Sequence, residues 1–270
     1  MAEHPIGKRY DGGTFTVEAG AGRAYAEATD DPHPAYRGDD AICPPMFHVR
    51  GFIVLMMQCA TDPELGIDML RLVHGEHGMT FHRALRTGDV VALEGELRAV
   101  VEKSSGTLYT FALRGRIDGE LALEGETTYF IRGKRKPGEK KAARPAPEAP
   151  PTPDWTVEQP VAADQATRYA AASGDHNPIH LDANVAAAAG LPGVILHGLC
   201  TMAFAARDLT HRYAEEDPSK LQSIAVRFAA PVFPGETLTL QVWEDDGAVT
   251  FQTVNGKGKP VLTGGRAAFV

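Results

Sequence analysis

GLCTMAFAARDLTHRY, residues 198–213, is the stretch on which the architecture turns. Apolar side chains fall on nearly every turn of a 3.6-residue period, and charge enters only towards the end. The pattern predicts a helix that is apolar almost all round and therefore buried. Four stretches of strand-like alternation follow it: SIAVRFA, TLTLQVWEDD, VTFQTVN and PVLTGGRAAFV. The turn dipeptide Asn255-Gly256 separates the last two, which suits an antiparallel hairpin. One buried helix followed by hairpin-linked strands is an α+β unit.

The first half of the chain repeats the plan. An apolar helix is expected over Met46–Ala60, followed by VVALEGELRAVVEK, TLYTFALRGRID and LALEGETTYFIR, with a turn at Asp118-Gly119. In each half a helical segment precedes the buried helix. GRAYAEATDDPHPAY (22–36) aligns with ATRYAAASGDHNPIH (166–180), matching Tyr25 to Tyr169, Asp31 to Asp175 and Pro34 to Pro178 at one offset of 144. FHRALRTGD (81–89) then parallels FAAPVFPGE (228–236) at 147. Two collinear windows in the same order mark a duplication with small insertions. Between the copies runs RGKRKPGEKKAARPAPEAPPT, with seven basic residues from Arg132 to Arg144 and then alternating Pro and Ala. It has little to bury and reads as a solvated linker in which proteolysis is expected between Lys134 and Arg144. The expected organisation is a first unit at 1–131, a linker at 132–153 and a second unit at 154–270.

The 270 residues are 43% hydrophobic and 23% charged, enough apolar material for packed cores and against global disorder. A formal net charge of −8 excludes nucleic-acid binding through bulk charge, so any anion site must be a local basic patch. Three cysteines, Cys43, Cys59 and Cys200, give neither a disulfide framework nor a zinc-cysteine site. The N-terminus lacks a signal-type apolar core, the AAFV end is not a peroxisomal SKL-type address, and no apolar run is long enough to span a bilayer. The expectation is a cytoplasmic protein with no membrane or nucleic-acid partner.

The chemistry is concentrated in YAAASGDHNPIHLD, Tyr169–Asp182. Gly174 and Pro178 force a turn that lets Asp175, Asn177 and His180 converge. Gly198 starts the buried helix, where backbone N–H groups lack partners and positive dipole charge gathers. A carboxylate, an imidazole, an amide side chain and an anion-stabilising N–H are the parts of a proton-transfer site. Singly, each is an ordinary turn or core residue; together, in this order, they are specific. His74, His77 and His82 in LVHGEHGMTFH lack HExxH spacing and are not read as a metal site.

The motif GDHNPIH, the His-Gly before the buried helix and VRFAAPVFPGE resemble the MaoC-like, or type 2, (R)-specific enoyl-CoA hydratases and related 3-hydroxyacyl dehydratases. The duplicated halves resemble their double-hotdog branch. The resemblance implies an α+β double hotdog, with two long central helices under a continuous antiparallel sheet. It implies that Asp175 and His180 hold a water that adds across a trans-2-enoyl thioester, that Asn177 orients the water or the dyad, and that the Gly198 N–H receives the thioester oxygen. It implies no metal, flavin or nicotinamide. Arg227 is a candidate for the phosphates of CoA or of a carrier protein. In the first half Tyr36 stands for His180, His33 for Asn177, and Pro44-Pro45 for His197-Gly198. That half is therefore expected to be non-catalytic, with Asp31 lacking a partner, and to shape the acyl pocket. One chain should form the pseudo-dimer, as a monomer or as part of a homodimer. CoA and acyl-carrier-protein substrates both remain open. A hotdog thioesterase needs a hydrolytic carboxylate facing the carbonyl carbon, which the Asp–His spacing argues against, and a silent acyl-binding protein would not need the full polar set.

Overall fold

Strand and helix segments recur in two successive sets. The first is β1 (Arg9–Thr16), α1 (Ala21–Ala28), α2 (Val49–Ala60), β2 (Leu72–Phe81), β3 (Val90–Lys103), β4 (Gly106–Ile117) and β5 (Glu120–Arg132). The second is β6 (Trp155–Pro160), α3 (Gln165–Ser173), α4 (Ala183–Ala188), α5 (Gly198–Tyr213), β7 (Leu221–Phe228), β8 (Thr237–Asp245), β9 (Ala248–Asn255) and β10 (Pro260–Phe269). The computed structural model describes residues 4–38, 41–133, 150–214, 217–245 and 248–270. The expected cleavage stretch between Lys134 and Arg144 lies outside the described residues.

The described strands form one ten-stranded sheet in the order β1-β3-β4-β5-β2-β7-β10-β9-β8-β6. Each half contributes five strands, and the halves meet where β2 pairs antiparallel with β7, from Glu76 opposite Arg227 to Thr80 opposite Ser223. The junction consumes an edge of each half, so neither is left there with unpaired N–H and C=O groups. Helix α2 packs on β1 and β3, and α5 on β7 and β10. Phe47, Phe52 and Leu55 of the first half and Phe204 and Leu209 of the second are fully buried in one hydrophobic cluster that runs through both halves. This is the α+β double hotdog.

The helix expected over Met46–Ala60 begins later. Residues Pro45–His48 form a 3-10 turn and the α-helix starts at Val49. Pro44 is extended and Pro45 lacks an N–H, so the entry is irregular. In the second half Gly198 takes the first helical position directly. None of the described helices is long and apolar enough to cross a membrane.

A second set of contacts joins the halves on the helical side. Helices α1 and α3 pack together, and the duplicated tyrosines meet there, Tyr25 Oη lying 3.1 Å from Tyr169 Oη with both residues fully buried. Carbonyls at the C-terminal end of α1 are capped from the second half. Gln165 Nε2 donates to Ala28 O (2.7 Å), Arg168 Nη1 to Glu27 O (2.8 Å) and Arg207 Nη1 to Thr29 O (3.1 Å). Two of these donors are guanidinium cations at the negative end of the helix dipole.

Gln165 is fully buried. Its replacement by Ala strands the Ala28 carbonyl and should cost about 1–3 kcal/mol in denaturant unfolding. Arg227→Ala at the exposed rim of the sheet junction should cost less than about 1 kcal/mol.

Candidate active site

The loop between α3 and α4 is folded by its own small residues. Gly174 ends α3 with φ of 77°, a left-handed conformation that glycine adopts without strain. Asn177 then caps a 3-10 turn over Pro178–His180, its Oδ1 accepting from Ile179 N–H (3.3 Å). The Asn177 N–H donates to Asp175 Oδ1 (3.1 Å). Asn177 thus fixes the Asp175 carboxylate through its main chain and the His180 turn through its side chain.

The His180 tautomer follows from geometry. Its Nδ1 is 2.8 Å from Ile195 O, and a carbonyl only accepts, so Nδ1 carries the proton and Nε2 presents a lone pair. His180 is buried, and burial lowers its pKa, opposed by the nearby Asp175 charge. A carboxylate oxygen of Asp175 and a ring nitrogen of each of His180 and His197 lie within 4.8 Å of one another. Two ~2.8 Å hydrogen bonds at a tetrahedral angle span about 4.6 Å, so one water can bridge Asp175 and His180 within this limit.

The same three groups have the donor types of a metal site, but their orientation is against one. The His180 and His197 rings stack with centroids 3.8 Å apart and planes 27° from parallel. Lone pairs lie in the ring planes, and two nearly parallel planes at that separation do not meet at a metal about 2.0–2.1 Å from both nitrogens. His74, His77 and His82 do not converge either, because His82 Nε2 pairs with Glu124 at the surface (3.0 Å) while His77 lies in the core.

Gly198 is the first residue of α5, so its N–H has no acceptor within the helix. A Cβ at this position would come within 3.0 Å of the Phe228 ring, so glycine also lets β7 close against the helix start. Phe228 packs on His74 of β2, with ring centroids 4.8 Å apart, and His74 Nε2 bonds Thr127 Oγ1 (2.6 Å). His74 is partly buried, and desolvation pushes its pKa down to about 4 even though the Asp175 charge acts in the opposite sense. The first half thus packs His74, Thr127 and Tyr129 against this region, and Arg50 of α2 lies against Gly174. Sequence reasoning weighs these histidines only as metal ligands and misses them as wall residues. The signal available for that role is their position between two apolar stretches that cannot both be solvated. His197, one residue before Gly198, enters the sequence reading only as part of a His-Gly pair.

Arg227 lies apart from this group. Its Nε and Nη2 donate to Glu76 Oε1 (2.8 and 2.7 Å) across the sheet junction, and both side chains are largely exposed. Asp175, Asn177, His180 and the Gly198 N–H are brought into one neighbourhood, and Arg227 is engaged elsewhere.

The corresponding place in the first half holds Asp31, His33 and Tyr36. Asp31 has a partner, contrary to expectation: His211 of α5 donates Nε2–H to Asp31 Oδ1 (2.9 Å), and the His33 N–H donates to the same oxygen (3.2 Å). The carboxylate is buried and Tyr36 is buried beside it. A buried carboxylate without a donor is costly, and the second half supplies the donor here. The hydrogen bond to Asp31 raises the His211 pKa above its ordinary value. The pair's contribution is therefore complete below pH ~6.5 and is lost as pH rises through the raised value. His48 and His74, both pushed down to about 4 by burial, act in the opposite sense and remove stability as pH falls below the ordinary histidine range. His211→Ala should lower Tm more at about pH 5.5 than at about pH 8.5 in paired thermal melts.

Comparison with known proteins agrees with this geometry. A family profile described as MaoC like domain matches residues 146–265, and one described as FAS1-like, dehydratase domain region matches residues 4–120. The chain is 34% identical over 242 residues to the peroxisomal multifunctional enzyme type 2 of Drosophila melanogaster, covering 84% of this chain and spanning only 40% of that protein. It is 32% identical over 210 residues to the probable enoyl-CoA hydratase 2 of Dictyostelium discoideum, covering 74% of this chain and 70% of that protein. The crystal structure of a MaoC-like dehydratase from Phytophthora capsici superposes with a TM-score of 0.82 at 24% identity, over 98% of this chain and 95% of that one, a likeness of fold. With the motif set in that fold and the likeness extending through both halves, the chain belongs to the MaoC-like dehydratase family.

Proposed function

We propose that this protein adds water to trans-2-enoyl-CoA to give (R)-3-hydroxyacyl-CoA, or runs the reverse dehydration, at one site built on Asp175, His180 and the Gly198 N–H. The observation that carries the reading is the approach of the Asp175 carboxylate and a His180 ring nitrogen to within 4.8 Å of each other, close enough for one water to bridge. Relatives named enoyl-CoA hydratase 2 and 3-hydroxyacyl-thioester dehydratase support the same chemistry.

In the proposed reaction the water's oxygen bonds to C3 while one member of the dyad takes its proton, and a proton is delivered to C2 on the same face. His180 is suited to accept, because its only N–H is committed to Ile195 and its Nε2 lone pair is free to bond. General acid–base groups of this kind contribute ~10²–10⁴ in rate. Electron density that builds on the thioester oxygen meets the Gly198 N–H and the positive end of α5, a donor whose loss typically costs ~10²–10³. Asn177 positions both dyad members. Arg227 is proposed for the CoA or carrier phosphates only if Glu76 releases it.

The division into a pocket-shaping unit at 1–131, a linker at 132–153 and a catalytic unit at 154–270 is part of the reading. Its support is Pro45 where the second half has Gly198, and Tyr36 where it has His180. An acyl-carrier-protein substrate is the alternative, since one transition state serves both thioesters. The pseudo-dimer within one chain is proposed to be complete as a monomer or as half of a homodimer. Three buried, unpaired thiols support a reducing compartment, proposed to be the cytoplasm, although some relatives are named peroxisomal.

Asp175→Asn and His180→Ala should each lower hydration of crotonyl-CoA by ~10² or more with the fold intact. Asp31→Asn should do far less. Wild-type rates in folded Asp175→Asn or His180→Ala protein would refute the dyad. Titration calorimetry with a non-reactive acyl-CoA analogue should return one site per chain, and two equivalent sites would mean that the first half is a working catalyst.

A further inference from the structure

His197 contacts the Asp175 main chain and the His180 ring and immediately precedes Gly198. Its side chain is 1% exposed. Its Nε2 is 2.9 Å from the main-chain oxygen of Asp175, so Nε2 carries the proton and donates it there. One ring face stacks on His180 at 3.8 Å, and Tyr169 packs against it at 4.9 Å. Its backbone is the N-cap of α5, its carbonyl accepting from Cys200 N–H (3.1 Å) and Thr201 N–H (3.2 Å), and the next residue is Gly198. The remaining ring nitrogen, Nδ1, is buried without a hydrogen-bond partner.

An orphan acceptor is a cost that a core position would ordinarily shed by becoming apolar. A histidine here keeps the donor to Asp175 and a flat ring for His180 at the expense of that lone pair. Protonating Nδ1 would bury an N–H with no acceptor beside His180, and burial together with that neighbour holds the His197 pKa well below the ordinary range, against the pull of Asp175. The other titratable neighbours are His176, which acts in the same sense as His180, and Tyr169.

We propose that His197 is a positioning residue for the hydration, an imidazole that ties the Asp175 main chain, the His180 ring and the Gly198 amide into one rigid unit. It does not exchange protons with the substrate water; it holds the groups that do. A misplacement of about 1 Å in such a unit can cost ~10²-fold, which sets the scale of its effect. The proposal rests on the hydratase reading above, and its test separates the two, because absence of crotonyl-CoA hydration by the wild-type chain would be a failure of that reading alone.

Two substitutions divide the two contacts. His197→Gln keeps a donor that reaches the Asp175 carbonyl but removes the ring; His197→Phe keeps a ring but removes the donor. Each should lower kcat for crotonyl-CoA by about tenfold or more while KM stays within about twofold. The pH profiles should part. Removing the ring admits water to His180 and relieves the burial that lowers its pKa, so the acid limb of kcat should move to higher pH in His197→Gln and stay in place in His197→Phe. In a His180→Ala background, His197→Gln should change the residual rate by less than about twofold, since its effect runs through the missing ring. If His197→Phe fails to fold, the Gln variant and the double-mutant cycle decide. Folded variants with kcat within about threefold of wild type, or a Gln effect of equal size with and without His180, would overturn the proposal. So would an acid limb that stays in place in His197→Gln.

Discussion

The pairing of β2 with β7 is the constraint on which the rest of the molecule depends. It turns two five-stranded sheets into one and places residues of both halves side by side from Glu76 and Arg227 to Thr80 and Ser223. Because the junction continues a sheet, the register is fixed by main-chain hydrogen bonds, and a one-residue slip would turn every side chain to the opposite face. That register sets His74 against Phe228, and Phe228 closes on the start of α5. The proposed site therefore lies where the two halves are joined, and the first half contributes part of its wall.

The interior of this region is rich in imidazole, and its packing favours the neutral form of those rings. His48 donates Nδ1–H to Pro45 O, so its Nε2 must accept from His77 Nε2–H, 3.1 Å away, which leaves His77 Nδ1 without a partner in the core. Burial lowers the pKa of His48, His74 and His77 alike. Like charges this close in a poorly screened interior would repel strongly, so a row of imidazoles is tolerable only when uncharged. His211, half-exposed and bonded to a carboxylate, is shifted the other way. The same residue type serves as core filler, tautomer relay and ion-pair partner according to what surrounds it.

The repeat is legible in the sequence because its periodic parts are. The apolar stripe of residues 198–213 coincides with α5, and β3 coincides with VVALEGELRAVVEK. Strands β1, β2 and β6 carry no such signal. β2, LVHGEHGMTF, contains two glycines and two histidines, a composition that argues against a strand until its neighbours on both sides are known. β6 is short and β1 contains adjacent glycines. Within the site, the convergence of Asp175, Asn177 and His180 can be anticipated from Gly174 and Pro178. The His211 partner of Asp31 cannot, because it comes from 180 residues away and nothing local marks it. Arg227 resembles an anion ligand in the sequence because Glu76, which faces it across the junction, belongs to the other half.

Tyr25 and Tyr169, with their hydroxyls 3.1 Å apart, stand where the two halves would be exchanged by rotation. In a dimer of identical units a residue at such a point faces its own copy, and one codon decides both sides of the contact. A change there is always made twice, so a donor can never be set against an acceptor of a different kind. In this chain two codons specify the contact. Either tyrosine can be replaced while the other stays, and the pair is free to become an asymmetric one. Joining the halves in one chain thus releases the residues at the centre of the molecule from a symmetry that would otherwise bind them, the same freedom that lets one half hold Tyr36 and Pro45 while the other keeps His180 and Gly198.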